Sequence, residues 1–312
     1  MNDNNNLPPC IIGTWAWGSG VTGARLVFGC KTDNKQLIDT YVRAMEKGFT
    51  YWDTAEVYGK GTSERVLAEC LRRIPGARIS TKHAPGRTFK QGAMNNSLSG
   101  SCERLGISAP DVYFLHNHSN LVENIRAAVP LLKLQKIRSL GLSNVSLNEI
   151  ETVTEILAVS GFTIGAVQNH YSLLSDPEKQ TPIIRWCQEH NVPFFSYMVL
   201  EQGALTGRYD AAHPFPAFCM RSMAFPRRKF KQIEPLLEKI RSLAKSYKIT
   251  PSQIPIAWAR AKGTVPLIGL TRPSHADELA AGCMITLNPT EVDDLEQIAR
   301  STGVVIKGSW EP

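Results

Sequence analysis

Eight short, β-rich apolar runs alternate with amphipathic segments along this chain, and the alternation limits its possible folds more than any other feature. The runs read, in order, CIIGTWAW, GFTYWDTA, ARISTKHA, DVYFLHNH, IRSLGLSN, TIGAVQNHY, VPFFSYMVL and TVPLIGLTR. Segments such as NKQLIDTYVRAMEKG carry apolar residues at helical spacing between them. Alternating strands and helices form parallel sheets, and strands that are apolar throughout are buried on both faces. We therefore predict one (β/α)8 (TIM) barrel domain over residues 1–312, with residues 1–9 as a flexible N-terminus.

Three pairs of residues mark predicted helix starts: Ser146 with Glu149, Thr250 with Pro251, and Thr290 with Asp293. The first pair has the spacing of a capping box. Proline is favoured at the first position of a helix, which is where Pro251 would lie.

The stretch GSGVTG at residues 18–23 has the glycine spacing of the dinucleotide-binding fingerprint. In that motif the third glycine lies in the first turn of a helix. Here the chain continues as ARLVFG, with β-branched and aromatic residues and a further glycine, so we expect no helix. The acidic residue at the expected distance, Asp39, falls inside a helical pattern. We interpret the stretch as an ordinary loop after the first strand.

The formal charge of +7 arises from 35 basic and 28 acidic residues that are spread along the chain. A nucleic acid is one reading of this charge, but because the basic residues are spread out, a small anionic ligand fits as well. One dense basic cluster, RRKFK, contains Arg227, Arg228, Lys229 and Lys231. We interpret it as the solvated start of a helix, with contact to a phosphate-bearing ligand as the alternative.

The seven cysteines are odd in number, scattered, and never spaced C-x-x-C. Neither a disulfide framework nor a metal site is indicated, and a reducing setting is expected. No apolar stretch reaches the length of a membrane span. We expect a cytoplasmic protein without membrane or nucleic-acid partners, while its oligomeric state is not indicated.

Polar residues gather at the ends of the predicted strands: Asp53, Lys82, His116, Ser143, Asn144, Gln168, Asn169, Ser196 and Tyr197. Active sites of (β/α)8 barrels lie at the carboxyl ends of the strands. Residues far apart in the chain would therefore meet at the barrel mouth.

Four of the side chains near this mouth suit proton transfer to a substrate. Tyr58 follows the second strand, and its phenol has an ordinary pKa of about 10. A Lys82 ammonium beside it would lower that pKa, and Asp53 would hold the lysine charged. His116 would donate a hydrogen bond to a substrate oxygen.

These residues resemble the aldo-keto reductase family over nearly the whole chain. The matching motifs are GTWAWG (13–18), DTAEVYG (53–59), STKHAP (80–85), GLSN (141–144), VQNHYSLL (167–174), YMVLEQGALTGRYD (197–210) and PLIGLTRPSHADE (266–278). Within the family, the chain is most similar to the aryl-alcohol dehydrogenase-like and potassium-channel β-subunit-like branch. The resemblance implies that Tyr58 is the general acid of carbonyl reduction, that Asp53 and Lys82 tune it, and that His116 orients the carbonyl.

The resemblance also implies a nicotinamide cofactor and the residues that hold it: Gly13, Thr14, Trp15, Asp53, Ser143, Asn144, Gln168, Tyr197, Leu200, Gln202, Gly203, Leu205, Arg208, Gly269, Thr271, Arg272, His275 and Glu278. A guanidinium suits a 2′-phosphate, so Arg272 favours NADP(H) over NAD(H). Two residues depart from the family pattern. Glu201 brings a carboxylate into the segment expected to wrap the pyrophosphate, and Leu279 replaces an asparagine expected at the adenine.

The sequence thus predicts an NADPH-dependent enzyme that interconverts a small aldehyde or ketone and its alcohol. The alternative is a nucleotide-binding sensor or regulatory subunit with little turnover. Candidate pocket residues are Trp17, Phe28, Phe89, Asn117 and His118, which would favour an aromatic or bulky carbonyl or would simply pack at the barrel top.

Overall fold

The computed structural model describes residues 8–20, 24–29 and 33–308, with the side chains of residues 24 and 25 left aside. Parallel strands pair in chain order and close into a barrel. The strands are β1 (Ile11–Gly13), β2 (Tyr51–Asp53), β3 (Arg78–His83), β4 (Val112–Leu115), β5 (Leu140–Ser143), β6 (Ile164–His170), β7 (Phe194–Tyr197) and β8 (Val265–Gly269). Each predicted run contains one strand, so the single-domain (β/α)8 barrel is confirmed.

Helices surround the barrel, and two further helical turns of the 3-10 type cover Trp15–Trp17 and Glu201–Thr206. The α-helices are α1 (Ala24–Phe28), α2 (Asn34–Glu46), α3 (Thr62–Arg73), α4 (Ala93–Leu105), α5 (Leu121–Lys133), α6 (Leu147–Ala158), α7 (Pro177–Glu189), α8 (Met220–Ala224), α9 (Arg227–Tyr247), α10 (Gln253–Ala261), α11 (Pro273–Gly282) and α12 (Pro289–Ser301). No helix within these described ranges is both long and apolar enough to cross a membrane.

The strands divide their side chains between two apolar cores, because successive residues of a strand point to opposite faces. On β2, Tyr51 belongs to the small core inside the barrel, and Trp52 belongs to the large core between strands and helices. Asp53, the next residue, faces the barrel interior at the carboxyl end of the strand, where its carboxylate contacts Ser80 and Gln168. The alternation thus aims this carboxylate into the mouth of the barrel.

The predicted helix start at Ser146 is confirmed, and the other two starts are displaced. The Ser146 side chain accepts from the Glu149 backbone, and the Glu149 carboxylate accepts from the Ser146 backbone. Helix α10 begins at Gln253 rather than at Pro251. Pro251 lies in the preceding turn, and its carbonyl accepts from the Ile254 N–H at 3.2 Å.

The last helix, α12, begins at Pro289 and not after Thr290. Asn288 is the capping residue and forms a complete capping box with Glu291, so the prediction that Thr290 and Asp293 mark this start is wrong by two residues. The proline at the first helical position was the better signal, because its missing N–H costs nothing there.

The expectation that no helix follows the GSGVTG stretch is also wrong. Helix α1 covers Ala24–Phe28 and packs against α8 and the turn at Trp15–Trp17, so tertiary contacts outweigh the weak helix propensity of these residues. Residues 21–23 of the stretch lie outside the described part of the chain. The stretch follows a strand of a closed barrel, not of the open sheet to which the fingerprint belongs.

The basic cluster RRKFK forms the first turn of α9. Arg227, Arg228 and Lys231 are exposed, while the Lys229 ammonium donates to the Ala224 carbonyl at 2.6 Å. The cluster is the solvated helix start that the sequence predicts.

Candidate active site

A buried ion pair between Asp53 and Lys82 lies at the centre of the barrel mouth. The two side chains are 1% and 0% exposed, and the Lys82 ammonium donates to the Asp53 carboxylate and, at 2.8 Å, to the Thr54 carbonyl. The second Asp53 oxygen accepts from the Ser80 hydroxyl at 2.7 Å and from the Gln168 amide at 3.2 Å. Because each charge is met by a partner, the pair can remain ionised in a site without water.

Burial lowers the pKa of Lys82 from its ordinary value, and the Asp53 charge and hydrogen bond oppose that shift. Without the carboxylate, the cost of burying an ammonium would favour the neutral amine. Asp53 is therefore the residue that keeps Lys82 cationic.

Tyr58 lies in the turn after β2 and faces the same group. Its ring stacks on Trp15 with centroids 5.8 Å apart, and it meets the His116 ring edge-on at 5.8 Å. The Lys82 nitrogen lies 5.2 Å from the ring centre. Gly59, with a positive φ of 58°, permits this turn, since a Cβ there would lie 2.5 Å from the Ser19 nitrogen.

The pKa of Tyr58 is raised well above its ordinary value, first by burial and then by the Asp53 carboxylate and the Tyr197 phenol. The net shift is opposite to the lowering expected from Lys82, because burial and the Asp53 charge outweigh the effect of the ammonium. The Lys82 charge is matched by Asp53 at close range, so burial dominates at the phenol. Tyr58 consequently stays protonated at neutral pH, which is the state a proton donor needs.

His116 directly follows β4, and its backbone N–H donates to the His83 carbonyl at 2.8 Å. Burial lowers the pKa of His116 well below its ordinary value, and the charge of Lys82 acts in the same direction. The imidazole is therefore neutral at physiological pH. A neutral ring next to Tyr58 can donate a hydrogen bond to a substrate oxygen without supplying its proton.

The ends of β5, β6 and β7 continue the same polar rim. The Asn144 amide donates to the His116 carbonyl at 2.9 Å and to the Ser143 hydroxyl at 3.1 Å, and the Tyr197 hydroxyl donates to the Asn144 oxygen at 2.6 Å. Asn144 adopts a positive φ of 59°, a conformation that asparagine tolerates better than most residues. With Gln168, these residues form one connected network around Asp53.

The residues predicted from the first strand lie beside this network. Gly13 pairs with Gly269 across β1 and β8, and a Cβ on Gly13 would lie 2.4 Å from the Leu267 side chain. Thr14 is buried, and its hydroxyl donates to the Asp53 carbonyl at 3.0 Å. Trp15 stacks on Tyr58.

The segment 198–208, which we name the β7 loop, has an unusual backbone. Met198, Glu201, Gln202 and Gly203 have φ angles of 61°, 46°, 55° and 105°. Three of these four are not glycine, and such conformations persist only where the surroundings hold them. The loop is therefore built to a fixed shape rather than left free.

Glu201 helps to stabilise this backbone conformation, because its side chain points into the protein. It is 1% exposed, lies 2.7 Å from the His170 ring nitrogen, and accepts a hydrogen bond from the Ser172 hydroxyl. The sequence placed this carboxylate among the groups wrapping the pyrophosphate, but the structure directs it to the end of β6. Its charge is engaged by His170 and Ser172, not presented at the loop surface.

The other residues of the β7 loop differ in exposure. Leu205 is buried in the outer core, so only its backbone can face a ligand, while Leu200 is partly buried and Arg208 is exposed. The Gln202 side-chain oxygen is buried and has no hydrogen-bond partner among the described residues.

Arg221, on α8, is a site residue that the sequence reasoning missed. Its guanidinium donates to the Gln202 carbonyl at 3.3 Å and lies 4.5 Å from the Phe215 ring centre, and its Nε is buried without a described partner. No motif marks this arginine, because a long loop separates it from β7. Only the fold shows that it packs against the β7 loop.

The end of β8 and the start of α11 bring several cationic groups together. Arg272 precedes α11 with an exposed side chain, and the His275 ring accepts from the Thr271 N–H at 3.3 Å. Burial lowers the pKa of His275, the Arg272 and Arg208 charges lower it further, and the Glu278 charge opposes them. Arg272 immediately precedes α11, where the positive end of the helix dipole favours an anion.

Of two α11 residues singled out from the sequence, Leu279 faces the protein interior, whereas Glu278 is partly exposed. The Glu278 carbonyl accepts from the Gln253 amide. Leu279 is buried in the outer core, so a side chain at this position packs inward and offers nothing to a ligand.

The five proposed pocket residues are spread over different surroundings. Phe28 packs edge-on against Trp15 at 5.3 Å, next to Tyr58. Trp17 is 2% exposed and donates its indole N–H to the Leu270 carbonyl at 2.7 Å, so it belongs to the core and is not a pocket residue. Phe89 lies half-buried in the loop after β3.

The remaining two follow β4. The Asn117 amide contacts the Pro85 carbonyl at 3.4 Å, and its oxygen accepts from the Ser119 N–H at 2.9 Å. The His118 ring lies 2.9 Å from the Glu149 carboxylate at the start of α6. Over the described ranges, no group of three or more His, Cys, Asp or Glu side chains is arranged to hold a metal ion.

The family is decided by comparison with known proteins, since the model of the aldo/keto reductase family matches residues 9–300. The chain belongs to the aldo/keto reductase family. The chloroplastic pyridoxal reductase of Arabidopsis thaliana is 29% identical over 317 residues, which cover 95% of this chain and 84% of that protein. An aldo-keto reductase of Schizosaccharomyces pombe is 27% identical over 312 residues, which cover 93% and 90%.

The solved structure of a glycerol dehydrogenase from Gluconobacter oxydans superposes with a TM-score of 0.81 at 22% identity, over 98% of this chain and 96% of that one. This likeness shows the barrel fold. With the family match, it follows that this aldo/keto reductase is an NAD(P)-dependent oxidoreductase that acts on carbonyl compounds.

Proposed function

We propose that this aldo/keto reductase reduces an aldehyde or ketone with NADPH, and reversibly oxidises the alcohol, with Tyr58 as the general acid. The observation that carries the proposal is the single buried group formed by Asp53, Tyr58, Lys82 and His116 at the barrel mouth. Each member is positioned by a different strand end or by the turn after one. A purely structural cluster would not need a phenol held next to an ion pair and a neutral imidazole.

The residues present fit a dinucleotide cofactor. The unpartnered Gln202 oxygen and Arg221 nitrogen lie at the β7 loop, and Arg272 immediately precedes α11. A nicotinamide dinucleotide would supply the hydride for carbonyl reduction when bound. Ser143, Asn144 and Gln168 would hydrogen-bond its carboxamide, and Tyr197 would stack on its ring.

The phosphate-bearing parts of the cofactor would be held by the β7 loop and by the residues around the start of α11. Leu200, Gln202, Gly203, Leu205 and Arg208 would wrap the pyrophosphate, largely through backbone groups that the shape of the β7 loop presents. The residues that would surround the adenosine, as the family resemblance implies, lie at the end of β8 and at the start of α11: Gly269, Thr271, Arg272, His275 and Glu278.

Proton transfer then falls to this chain's own side chains. Tyr58 holds its proton at neutral pH and would donate it to the carbonyl oxygen as negative charge develops there. Neutral His116 would donate a hydrogen bond to the same oxygen and fix its direction. The Lys82 ammonium, kept charged by Asp53, would stabilise the phenolate that Tyr58 becomes.

This assignment gives the raised pKa of Tyr58 a role. In the resting site the phenol is a poor acid, and the proton remains in place until an alkoxide forms next to it. An alkoxide is a stronger base than an ordinary phenolate, so the proton moves to the substrate oxygen as negative charge develops there.

We base the preference for NADP(H) on Arg272, which is exposed at the start of α11. Its guanidinium would meet a 2′-phosphate, whereas a ribose hydroxyl would leave it without an anionic partner.

The aromatic surroundings of Tyr58 favour an aromatic or bulky apolar carbonyl. Trp15 stacks on Tyr58 and Phe28 packs on Trp15, so a flat apolar wall adjoins the proton donor. One relative is named a pyridoxal reductase. Pyridoxal is an aromatic aldehyde, so we include it in the substrate panel.

The test is to mix the purified protein with NADPH and a panel of aromatic and aliphatic aldehydes and to follow nicotinamide absorbance. Nucleotide binding is measured separately by fluorescence titration. Turnover of at least one aldehyde, faster with NADPH than with NADH, is the expected result. Tight nucleotide binding without turnover of any carbonyl would contradict the proposal and favour a nucleotide sensor.

A further inference from the structure

Two cysteines far apart in the chain meet on the side of the barrel opposite the mouth. Cys10 immediately precedes β1, and Cys283 directly follows α11. Their sulfur atoms are 3.4 Å apart, in contact as a thiol hydrogen bond, although the positions are 273 residues apart. Both are free thiols in the structure.

The two thiols differ in exposure and in the direction of their pKa shifts. Cys10 is 0% exposed, and burial raises the pKa of its thiol. Cys283 is partly exposed, and the hydrogen bond from Cys10 and the nearby Arg260 charge lower the pKa of Cys283. Arg260 is held there because its guanidinium donates to the Cys283 carbonyl. Cys283 is thus the accessible thiol and the one that ionises first, whereas Cys10 is the buried thiol in contact with it.

We propose that Cys10 and Cys283 are a peroxide-sensitive dithiol that closes to an intramolecular disulfide. In the first step, the Cys283 thiolate attacks one oxygen of hydrogen peroxide, the O–O bond breaks, and hydroxide leaves, giving a sulfenic acid. In the second, the Cys10 sulfur attacks the Cys283 sulfur and water leaves with the Cys10 proton. Two sulfurs are oxidised, one peroxide is reduced, and a new S–S bond replaces two S–H bonds.

Forming this disulfide requires only a small movement of the two sulfur atoms. A disulfide is about 2.05 Å long, so the sulfurs need to approach by roughly 1.4 Å from their present contact. Both residues lie at the ends of elements, and side-chain rotation with a small shift after α11 can supply that movement. Neither cysteine belongs to the site proposed for reduction, so the two proposals stand or fall separately.

Three other described cysteines, Cys70, Cys187 and Cys219, serve as controls because they lie apart from the Cys10–Cys283 contact. Cys70 and Cys187 are buried, and burial raises the pKa of each to about 12. The Cys219 thiol donates to the Pro216 carbonyl at 3.2 Å. Cys30 lies outside the described residues. On thiolate character alone, Cys187 should react far more slowly than Cys283.

The experiment treats the full chain with hydrogen peroxide, blocks remaining thiols with iodoacetamide, and maps peptides by mass spectrometry without reduction. We expect a cross-linked peptide pair joining Cys10 to Cys283, about 2 Da lighter than the two free peptides together. Dithiothreitol should restore both peptides. The cross-link should form in Cys187→Ser and be absent from Cys283→Ser.

A second reading uses Cys10→Ala, which leaves Cys283 without its resolving thiol. There a sulfenic acid should accumulate on Cys283 and react with dimedone, whereas the wild type should show little such adduct. Thermal unfolding gives an independent measure, because a cross-link spanning most of the chain restricts the unfolded state. The oxidised wild type should unfold at a higher temperature than the reduced protein, and oxidised Cys283→Ser should not.

The proposal is overturned if peroxide oxidises Cys283 in the wild type to the sulfinic acid without any Cys10 cross-link. It is equally overturned if both cysteines remain fully alkylated under peroxide that modifies Cys187. These outcomes are read on the wild type itself, so they do not depend on whether a variant folds.

Discussion

The Lys82 ammonium lies 5.2 Å from the centre of the Tyr58 ring. Lys82 comes from β3 and Tyr58 from the turn after β2, so only closure of the barrel brings them together. The buried carboxylate of Asp53 pairs with the same ammonium. The consequence is a buried ion pair next to a protonated phenol.

We predict that breaking this pair costs stability as well as activity. Asp53→Asn or Lys82→Met leaves one buried charge without its partner, which should lower the free energy of unfolding by about 3–5 kcal/mol. Urea denaturation measures the loss. The double variant Asp53→Asn/Lys82→Met removes both charges and should recover part of that stability, while carbonyl reduction stays lost.

Recovery of reduction in the double variant would contradict the role given to Lys82. A double variant that is as unstable as the sum of the single ones would show that the two side chains do not act as a pair.

A second prediction concerns the anchor of the β7 loop. Glu201→Ala removes the inward contacts to His170 and Ser172, and the strained backbone of residues 201–203 should relax. We expect the Kd for NADPH to rise about tenfold, equal to ~1.4 kcal/mol, with kcat at saturating nucleotide largely kept. His170→Ala should likewise raise the Kd for NADPH while leaving kcat largely unchanged.

Combining Glu201→Ala with His170→Ala should add little to either single change, because both remove one interaction. Glu189→Gln, at an exposed position on α7, is the matched control and should leave Kd unchanged. Wild-type nucleotide affinity in Glu201→Ala would show that the anchor does not position the loop.

Cofactor choice gives a third prediction. Arg272→Ala should weaken NADPH binding by about 10- to 100-fold through loss of a charged hydrogen bond to the 2′-phosphate, and should change NADH binding little. Titration of both nucleotides measures the ratio. Arg185→Ala, exposed on α7, controls for loss of a surface charge. Equal weakening for NADPH and NADH would place Arg272 elsewhere than at the 2′-phosphate.

A fourth prediction follows from the two imidazoles with lowered pKa values, His116 and His275. Unfolded histidine has a pKa of about 6.5, so above that pH both states carry neutral rings and stability is unaffected. Below about pH 6.5 the unfolded chain takes up protons that the folded chain does not, and stability falls as pH falls. The melting temperature should therefore be level from about pH 8 to 7 and decline below about 6.5.

His116→Asn removes one of these groups and should make the acid decline shallower. The His213 side chain is 80% exposed, so the melting temperature of His213→Asn should decline with falling pH as that of the wild type does. An equally steep decline in His116→Asn would contradict a neutral, buried imidazole at this position.

The sequence identified the barrel and most strand-end residues because a regular alternation and a buried interior leave few options. Asp53, His116 and Ser143 were placed correctly at strand ends for this reason. Strand periodicity is local information, and closure of a barrel converts it directly into which side chains share the mouth.

What the sequence left out depends on contacts that no local pattern encodes. The inward turn of Glu201 needs His170 across the β6 end, and the packing of Arg221 on the β7 loop needs the course of a long connection. The raised pKa of Tyr58 depends on burial outweighing a charge that Asp53 already matches. Helix α1 similarly forms where packing outweighs propensity.

The most direct test of the central claim is single-turnover reduction of an aromatic aldehyde by Tyr58→Phe, with NADPH binding measured on the same sample. The account predicts a loss of about 10²- to 10⁴-fold in the rate of reduction with the Kd for NADPH unchanged, because only the donated proton is removed. Reduction at the wild-type rate by a Tyr58→Phe protein that binds NADPH normally would show that the phenol is not the acid.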